Sequence, residues 1–186
     1  MKPDWLVNCV SVDIEAAGPY PARYPMLSIG ACLVEDIQNT FYAELKPDRV
    51  EFQEHALNIS GFSMPQLERF GIDPERAMQA FGEWLSENTP GQPICVAFNA
   101  PFDWMFINDY FHRYYGSNPF GHSALDIKAL FLGLTGGDWK DTHMDAVNIK
   151  LGLGKPLSHH ALEDAQDQAN LFLQIIERLQ NKSSEE

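Results

Sequence analysis

The start of the chain contains three strand-like segments that follow one another too closely for helices to connect them. The segments are rich in apolar and β-branched residues and span 5–15, 26–34 and 40–45. Their links are Gly18–Pro25, a loop with three prolines, and the tight connection Glu35–Asn39. Parallel neighbours need a crossover of about a dozen residues or more, whereas antiparallel neighbours need only a short turn. The three segments therefore predict an antiparallel meander.

Helical and strand-like patterns alternate along the rest of the chain. The pattern predicts helices over 63–71 and 142–151 and helices that begin near 74, 102 and 160, with short strands at 93–98 and within 124–133. The element order, β-β-β-α-β-α-β-α, is typical of an α/β fold with one mixed sheet and helices on its faces. We expect a single domain over residues 1–181, a helix break between Gly152 and Pro156, and a frayed tail at 182–186.

Composition and charge exclude several classes of protein. The 186 residues are 45% apolar and 21% charged, which is ordinary globular usage, and no apolar run is long enough for a membrane span. The first residues lack the basic and apolar pattern of a secretory signal. Three cysteines, far apart in apolar runs, favour buried thiols over a disulfide frame or a zinc site. These features predict a cytoplasmic protein with no membrane partner.

The net charge of −13 argues against broad binding of duplex DNA. Such binding uses a basic surface that neutralises many phosphates. Most of the acids have the plain function of keeping the surface soluble. Some of them could instead collect divalent cations.

Two acids close an otherwise apolar strand near the N-terminus. Asp13 and Glu15 flank Ile14, and residues two apart on a strand point to the same face. Two neighbouring carboxylates at a buried position are costly unless a cation neutralises them. Taken alone, an Asp-x-Glu pair at a strand end is also typical of a solvated turn.

Two further patterns place acids at the starts of helices. Asp103 follows Asn99 and a buried strand, where an acid favours the positive end of the helix dipole. Asp164 lies five residues after His159 and six after Ser158, a candidate N-cap. Each pattern alone also fits an ordinary capped helix.

Together, in this order, the three motifs resemble those of the DEDDh, or DnaQ-like, family of 3′–5′ exonucleases. Asp13 and Glu15 match the first motif, Asp103 matches the second, and His159 with Asp164 matches the third. The resemblance covers residues 6–180 and implies a ribonuclease H-like fold, whose five-stranded mixed sheet has three antiparallel strands followed by two parallel ones.

The resemblance also implies a mechanism. The four acids would hold two Mg²⁺ or Mn²⁺ ions at the scissile phosphate, and His159 would act as the general base. The product would be a 5′-mononucleotide released from the 3′ end of a single-stranded or short DNA or RNA. Some relatives form dimers, so by analogy a homodimer is one candidate for the oligomeric state of this chain. We expect His159 to lie in a mobile loop that closes on substrate, so that without substrate it can be turned away from the acids.

Substrate contacts are predicted from the same motifs, and some depart from the family pattern. Ile14, Ala16, Phe62 and Asn99 are candidates; Ala16 replaces the usual Thr or Ser, which leaves its backbone N–H to meet substrate. Phe62 is either a platform for the terminal base or a core residue, and Ser60 stands where the family has a His. The loop Tyr20–Pro25 either contacts substrate or is a surface loop with packed tyrosines, and the sequence leaves both alternatives open.

Three rival functions stay open at this point. The first is a non-catalytic nucleic-acid-binding or scaffold module of the same fold, which the presence of all four acids and the histidine disfavours. The second is an endonuclease of the same superfamily, which also uses clustered acids and metals. The third is the proofreading subunit of a polymerase, which shares the chemistry.

Overall fold

A computed structural model describes residues 3–152 and 158–185. Its centre is a five-stranded mixed sheet with the strand order β3-β2-β1-β4-β5. The strands are β1 (Cys9–Ala16), β2 (Met26–Leu33), β3 (Thr40–Glu44), β4 (Ile94–Ala97) and β5 (Ala124–Asp126). The first three strands pair antiparallel, and β1–β4 and β4–β5 pair parallel. This arrangement confirms the predicted meander and the predicted mixed sheet.

Helices follow the meander and alternate with the two parallel strands. They are α1 (Glu54–Ser60), α2 (Met64–Phe70), α3 (Pro74–Asn88), α4 (Pro101–Tyr114), α5 (Ile127–Thr135), α6 (Met144–Leu151) and α7 (Ala161–Glu185). Among the described residues, no helix is both long enough and apolar enough to cross a membrane.

The alternation of side chains along β1 separates two cores. Val10, Val12 and Ile14 pack in a cluster with residues of α3 and α4, such as Phe81. Cys9 packs on the opposite face, in a cluster with residues of α5, α6 and α7. Because strand side chains repeat every two residues, the acids of β1 share the face of Cys9. The two carboxylates therefore point toward the side of the sheet that α7 covers.

Gly30 allows the start of α7 to lie directly on the sheet. This glycine pairs with Asp13 across the β1–β2 ladder. A Cβ atom added at Gly30 would lie 2.3 Å from the carbonyl carbon of Ala161 and from the backbone nitrogen of Leu162. Only a residue without a side chain permits this approach, and it brings the first turn of α7 to the acidic end of β1.

The structure corrects several predicted boundaries. Asp4–Asn8 forms a 3-10 helix, so that only the second half of the predicted first strand is extended. The segment Glu54–Ser60, which has no predicted secondary structure, is α1. The last helix continues to Glu185, into the segment 182–186 that was expected to be a frayed tail. α6 is capped by Gly152 in a left-handed conformation, and the rest of the predicted break, 153–156, lies outside the described residues.

Candidate active site

The carboxyl ends of β1 and β4 place three of the predicted acids side by side. Asp13 and Glu15 lie near the end of β1, and Asp103 lies in the first turn of α4, directly after β4. The backbone N–H of Ile14 donates a hydrogen bond of 3.1 Å to Asp103 Oδ1. This buried bond ties the side chain of Asp103 to the backbone of β1, at the residue between Asp13 and Glu15.

A tight turn at Asn99 aims α4 at this group of acids. Asn99 has a left-handed backbone with a φ of 61°, which asparagine tolerates better than most residues. Its carbonyl accepts the N–H of Phe102 at 3.1 Å, and Pro101 begins the helix. The exposed Asn99 side chain is therefore at the edge of the acidic cleft.

Asp164 organises the entry to α7. Its Oδ1 accepts the backbone N–H of Ser158 at 2.9 Å and the Ser158 hydroxyl at 3.0 Å, and its Oδ2 accepts the backbone N–H of His159 at 3.0 Å. His159 has a φ of 56°, a conformation that needs such support in a residue other than glycine. The carboxylate thus holds the histidine beside itself.

These residues line one cleft of about 190 Å³. A ring nitrogen of His159 and carboxylate oxygens of Glu15 and Asp164 all lie within 4.8 Å of one another. The imidazole is therefore turned toward the acids. The residues that line the cleft are Asp13, Ile14, Glu15, Phe98, Asn99, Phe102, Asp103, Met144, His159, Asp164 and Gln168.

Crowding in this cleft raises the pKa of three carboxyl groups. Burial, followed by the charges of Asp103, Glu15 and Asp164, raises the pKa of Asp13 well above its ordinary value. Burial and the charge of Asp164 raise the pKa of Glu15 to about 7. Burial also raises the pKa of Asp103 to about 8, although the N–H of Ile14 opposes this shift. Without a cation, the folded protein thus disfavours full ionisation of its own acids.

The site contains residues that the motifs did not identify. Gln168 is buried, and its Nε2 donates a hydrogen bond of 2.6 Å to Asp13 Oδ1. Met144, Phe98 and Phe102 form apolar parts of the wall. The sequence held a signal for Gln168, since it lies four residues after Asp164 and therefore on the same face of α7.

Two of the predicted substrate residues lie outside the walls of the cleft. Ala16 is buried and pairs with Met26 at a register shift in the β1–β2 ladder. Phe62 is half-buried against a cluster that includes Ala17 and Leu67. It lines a separate groove of about 760 Å³ that also contains the exposed side chains of Val50 and Phe52.

The loop Tyr20–Pro25 is packed onto the protein around a buried tyrosine. Tyr24 is buried, and its ring meets Tyr20 edge-on at 5.4 Å between centroids. Arg23 forms an ion pair with Glu51 at 2.5 Å. A Cβ atom at Gly18 would lie 2.3 Å from the Tyr24 ring. The geometry matches the packed-loop alternative.

Solved structures of named nucleases share this fold. No family model matches the chain. The nuclease domain of 3′hExo, a DEDDh family member bound to rAMP, superposes with a TM-score of 0.75 at 13% identity, over 97% of this chain and 95% of that one. Exonuclease I of E. coli, in complex with a dT13 oligonucleotide, gives a TM-score of 0.71 at 17% identity, over 95% of this chain and 42% of that one.

A relative with higher sequence identity establishes the family. The chain is 41% identical over 175 residues to the 3′-5′ DNA exonuclease Cap18 of Escherichia coli, and the match covers 93% of each chain. With the fold and the clustered acids, this identity shows that the chain belongs to the DEDDh family of 3′–5′ exonucleases. Membership implies dependence on a divalent metal ion.

The residues of the cleft fit such an ion. Carboxylate oxygens are the ligands that Mg²⁺ and Mn²⁺ prefer. The raised pKa values of Asp13, Glu15 and Asp103 indicate that negative charge in the cleft is poorly compensated by the protein itself. The compact group of Glu15, His159 and Asp164 offers a set of donors close to one another.

Proposed function

We propose that this chain removes 5′-mononucleotides one at a time from the 3′ end of single-stranded DNA. The observation that carries the proposal is the convergence of four acids and His159 in one cleft. The similarity to a named 3′-5′ DNA exonuclease supports DNA as the substrate. The oligonucleotide bound by the structural neighbour Exonuclease I supports a single strand. An acidic chain suits a substrate gripped by a few terminal nucleotides.

The roles of the residues follow from their positions. Asp13, Glu15, Asp103 and Asp164 are the proposed ligands of two Mg²⁺ or Mn²⁺ ions. Bound divalent ions supply a nucleophilic hydroxide at neutral pH and stabilise charge on the leaving 3′ oxygen.

The other proposed roles concern the proton and the substrate end. His159 accepts the proton of the attacking water, and Asp164 holds its backbone in place. The backbone of Ile14 orients Asp103. Asn99 at the cleft edge and the backbone of Ala16 are proposed to contact the terminal nucleotide.

Three further assignments belong to the same proposal. Residues 1–181 are proposed to form a single exonuclease domain. The free cysteines Cys9, Cys32 and Cys95, all buried, support a reducing, cytoplasmic location. A homodimer stays a prediction. Light scattering tests it by measuring the molar mass of the protein in solution.

The decisive experiment compares end-labelled substrates in Mg²⁺ and in Mn²⁺. With 3′-labelled single-stranded DNA, we expect labelled mononucleotide as the first product and no activity in excess EDTA. Duplex DNA and a short RNA of the same sequence measure the substrate preference. Activity that survives chelation would contradict the metal assignment.

A circular single strand is the control for the rival functions. It has no 3′ end, so an exonuclease leaves it intact, whereas an endonuclease of the same fold cuts it. A binding or scaffold module would retain the linear strand without degrading it. Co-purification with a polymerase would favour the proofreading alternative.

Phe62 gives a separate prediction about the substrate end. Since one side of its ring faces the groove, Phe62→Ala should raise KM for single-stranded DNA by a factor that corresponds to about 1–3 kcal/mol of stacking, with little change in kcat. Because the ring is only half-buried, the loss in free energy of unfolding should be smaller than the roughly 3–5 kcal/mol typical of a core Phe→Ala change.

Leu67 provides the matched control for Phe62. It belongs to the same apolar cluster but is fully buried and does not line the groove. Leu67→Ala should lower the melting temperature and leave KM unchanged. If Phe62→Ala behaves in the same way, with a lower melting temperature and an unchanged KM, then Phe62 is a core residue and the platform role is wrong.

A further inference from the structure

Gln168 is a buried residue of α7 that contacts both an acid of the cleft and the end of β4. The residue is only 2% exposed, which is unusual for glutamine unless its amide is hydrogen-bonded. It lies on α7, one helical turn after Asp164. The amide reaches from the helix to the ends of both β1 and β4.

Two hydrogen bonds fix which way this amide faces. The backbone N–H of Phe98, directly after β4, donates to Gln168 Oε1 at 2.9 Å. Gln168 Nε2 donates to Asp13 Oδ1 at 2.6 Å. A backbone N–H can only donate, so the oxygen of the amide must face Phe98 and its NH₂ group must face Asp13. The flipped orientation would set two donors against each other and two acceptors against each other.

We infer that Gln168 is a positioning residue that holds Asp13 in the rotamer needed to bind a divalent cation. The inference rests on the proposed function, because it takes Asp13 as a ligand. With Oδ1 engaged by the amide, Oδ2 is left to face the ion. α7 thus supplies one ligand directly, through Asp164, and orients another through Gln168. Groups that orient ligands in this way typically contribute about 10–100-fold to metal affinity or activity.

The test is a titration with Mn²⁺ alone, in the absence of nucleic acid. Gln168→Met keeps the length of the side chain but removes both hydrogen bonds. We expect its apparent Kd for Mn²⁺, measured by calorimetry, to be about 10-fold higher or more than that of the wild type. In nuclease assays the Mn²⁺ concentration needed for half-maximal activity should rise similarly, and most of the lost kcat should return at saturating Mn²⁺.

Gln166 is the matched control on the same helix. Its Nε2 donates to the carbonyl of Ile37 at 2.7 Å, and it does not line the cleft. Gln166→Met should bind Mn²⁺ like the wild type, even if its melting temperature in EDTA falls. A second variant, Gln168→Asn, keeps the amide but is one methylene too short to span both partners, so it should also bind Mn²⁺ more weakly.

The outcomes separate this inference from the proposed function. If a folded Gln168 variant binds Mn²⁺ as tightly as the wild type, Gln168 does not position Asp13 and the inference is overturned. If the wild type binds Mn²⁺ but degrades no nucleic acid, the proposed function fails while the effect of Gln168 on binding can still be measured.

Discussion

Asp13→Asn is expected to reduce kcat by about 10³-fold or more while the protein stays folded. The substitution removes one charge from the centre of the acidic cleft and changes the volume of the side chain very little. Metal ions contribute several kcal/mol to stabilisation of the transition state, and each 1.36 kcal/mol corresponds to a factor of ten in rate. The measurement is single-turnover degradation of 3′-labelled single-stranded DNA at saturating Mg²⁺.

The same variant should be more stable than the wild type when metal is removed at pH 8. Glu15 and Asp103 have pKa values of about 7 and about 8 in the folded protein, and the pKa of Asp13 is also raised. The folded state therefore binds more protons than the unfolded state over a window from about pH 4 to pH 8. In EDTA, these groups lower the free energy of unfolding as the pH rises through that window.

Thermal unfolding in EDTA at pH 5 and at pH 8 checks this reasoning. The advantage of Asp13→Asn should be present at pH 8 and shrink at pH 5, where the carboxyl groups of the wild type take up protons. Glu163→Gln is the control, because Glu163 is exposed and does not line the cleft. If Asp13→Asn is as active as the wild type, Asp13 is not a ligand. If it is less stable at pH 8, the acids do not repel one another as inferred.

The sheet could be predicted because its information is local. Side chains alternate along β1 with a period of two, and the links between the first three strands are too short for a crossover. Asp73 before Pro74 also marked a helix start, and its carboxylate accepts the N–H of Glu75 at 3.0 Å. In these two cases a short-range rule was sufficient to predict the element.

Elements that depend on distant contacts could not be predicted. α1 is only seven residues long and none of them is fully buried, so it shows no long apolar stripe that would mark a helix, and its half-buried Leu57 packs against a distant cluster that includes Ala17 and Leu67. The 3-10 helix Asp4–Asn8 contains Trp5, Leu6 and Val7, whose apolar character resembles that of a strand. In both cases the local composition is ambiguous, and packing against the rest of the chain decides the conformation.

The residues of the candidate site likewise divide into those that the sequence indicated and those that it did not. The convergence of Asp13, Glu15, Asp103 and Asp164 was expected because three short motifs, each local in sequence, together resemble those of the DEDDh family. Gln168 belongs to none of the three motifs, and its contact with Asp13 joins residues 155 positions apart in sequence. Its position on the face of Asp164 is visible in the sequence only after Asp164 has been assigned.

His159→Asn is expected to lower kcat by about 10²–10⁴-fold, the usual contribution of a general base. Asparagine is the better replacement because it tolerates the left-handed backbone of this position, whose φ is 56°. The backbone N–H that donates to Asp164 is retained. Single-turnover degradation of 3′-labelled single-stranded DNA at saturating Mg²⁺ measures this loss.

His160 is the matched control for this experiment, since it is the adjacent histidine with a different environment. Its exposed ring stacks on Tyr42 of β3, with centroids 4.8 Å apart, and it does not line the cleft. His160→Asn should therefore change kcat far less than His159→Asn. If His160→Asn is the variant that loses activity, then His160 and not His159 is the histidine of the third motif, and the assignment is wrong. If His159→Asn instead loses its affinity for Mn²⁺, then His159 serves as a metal ligand beside Glu15 and Asp164 rather than as the general base.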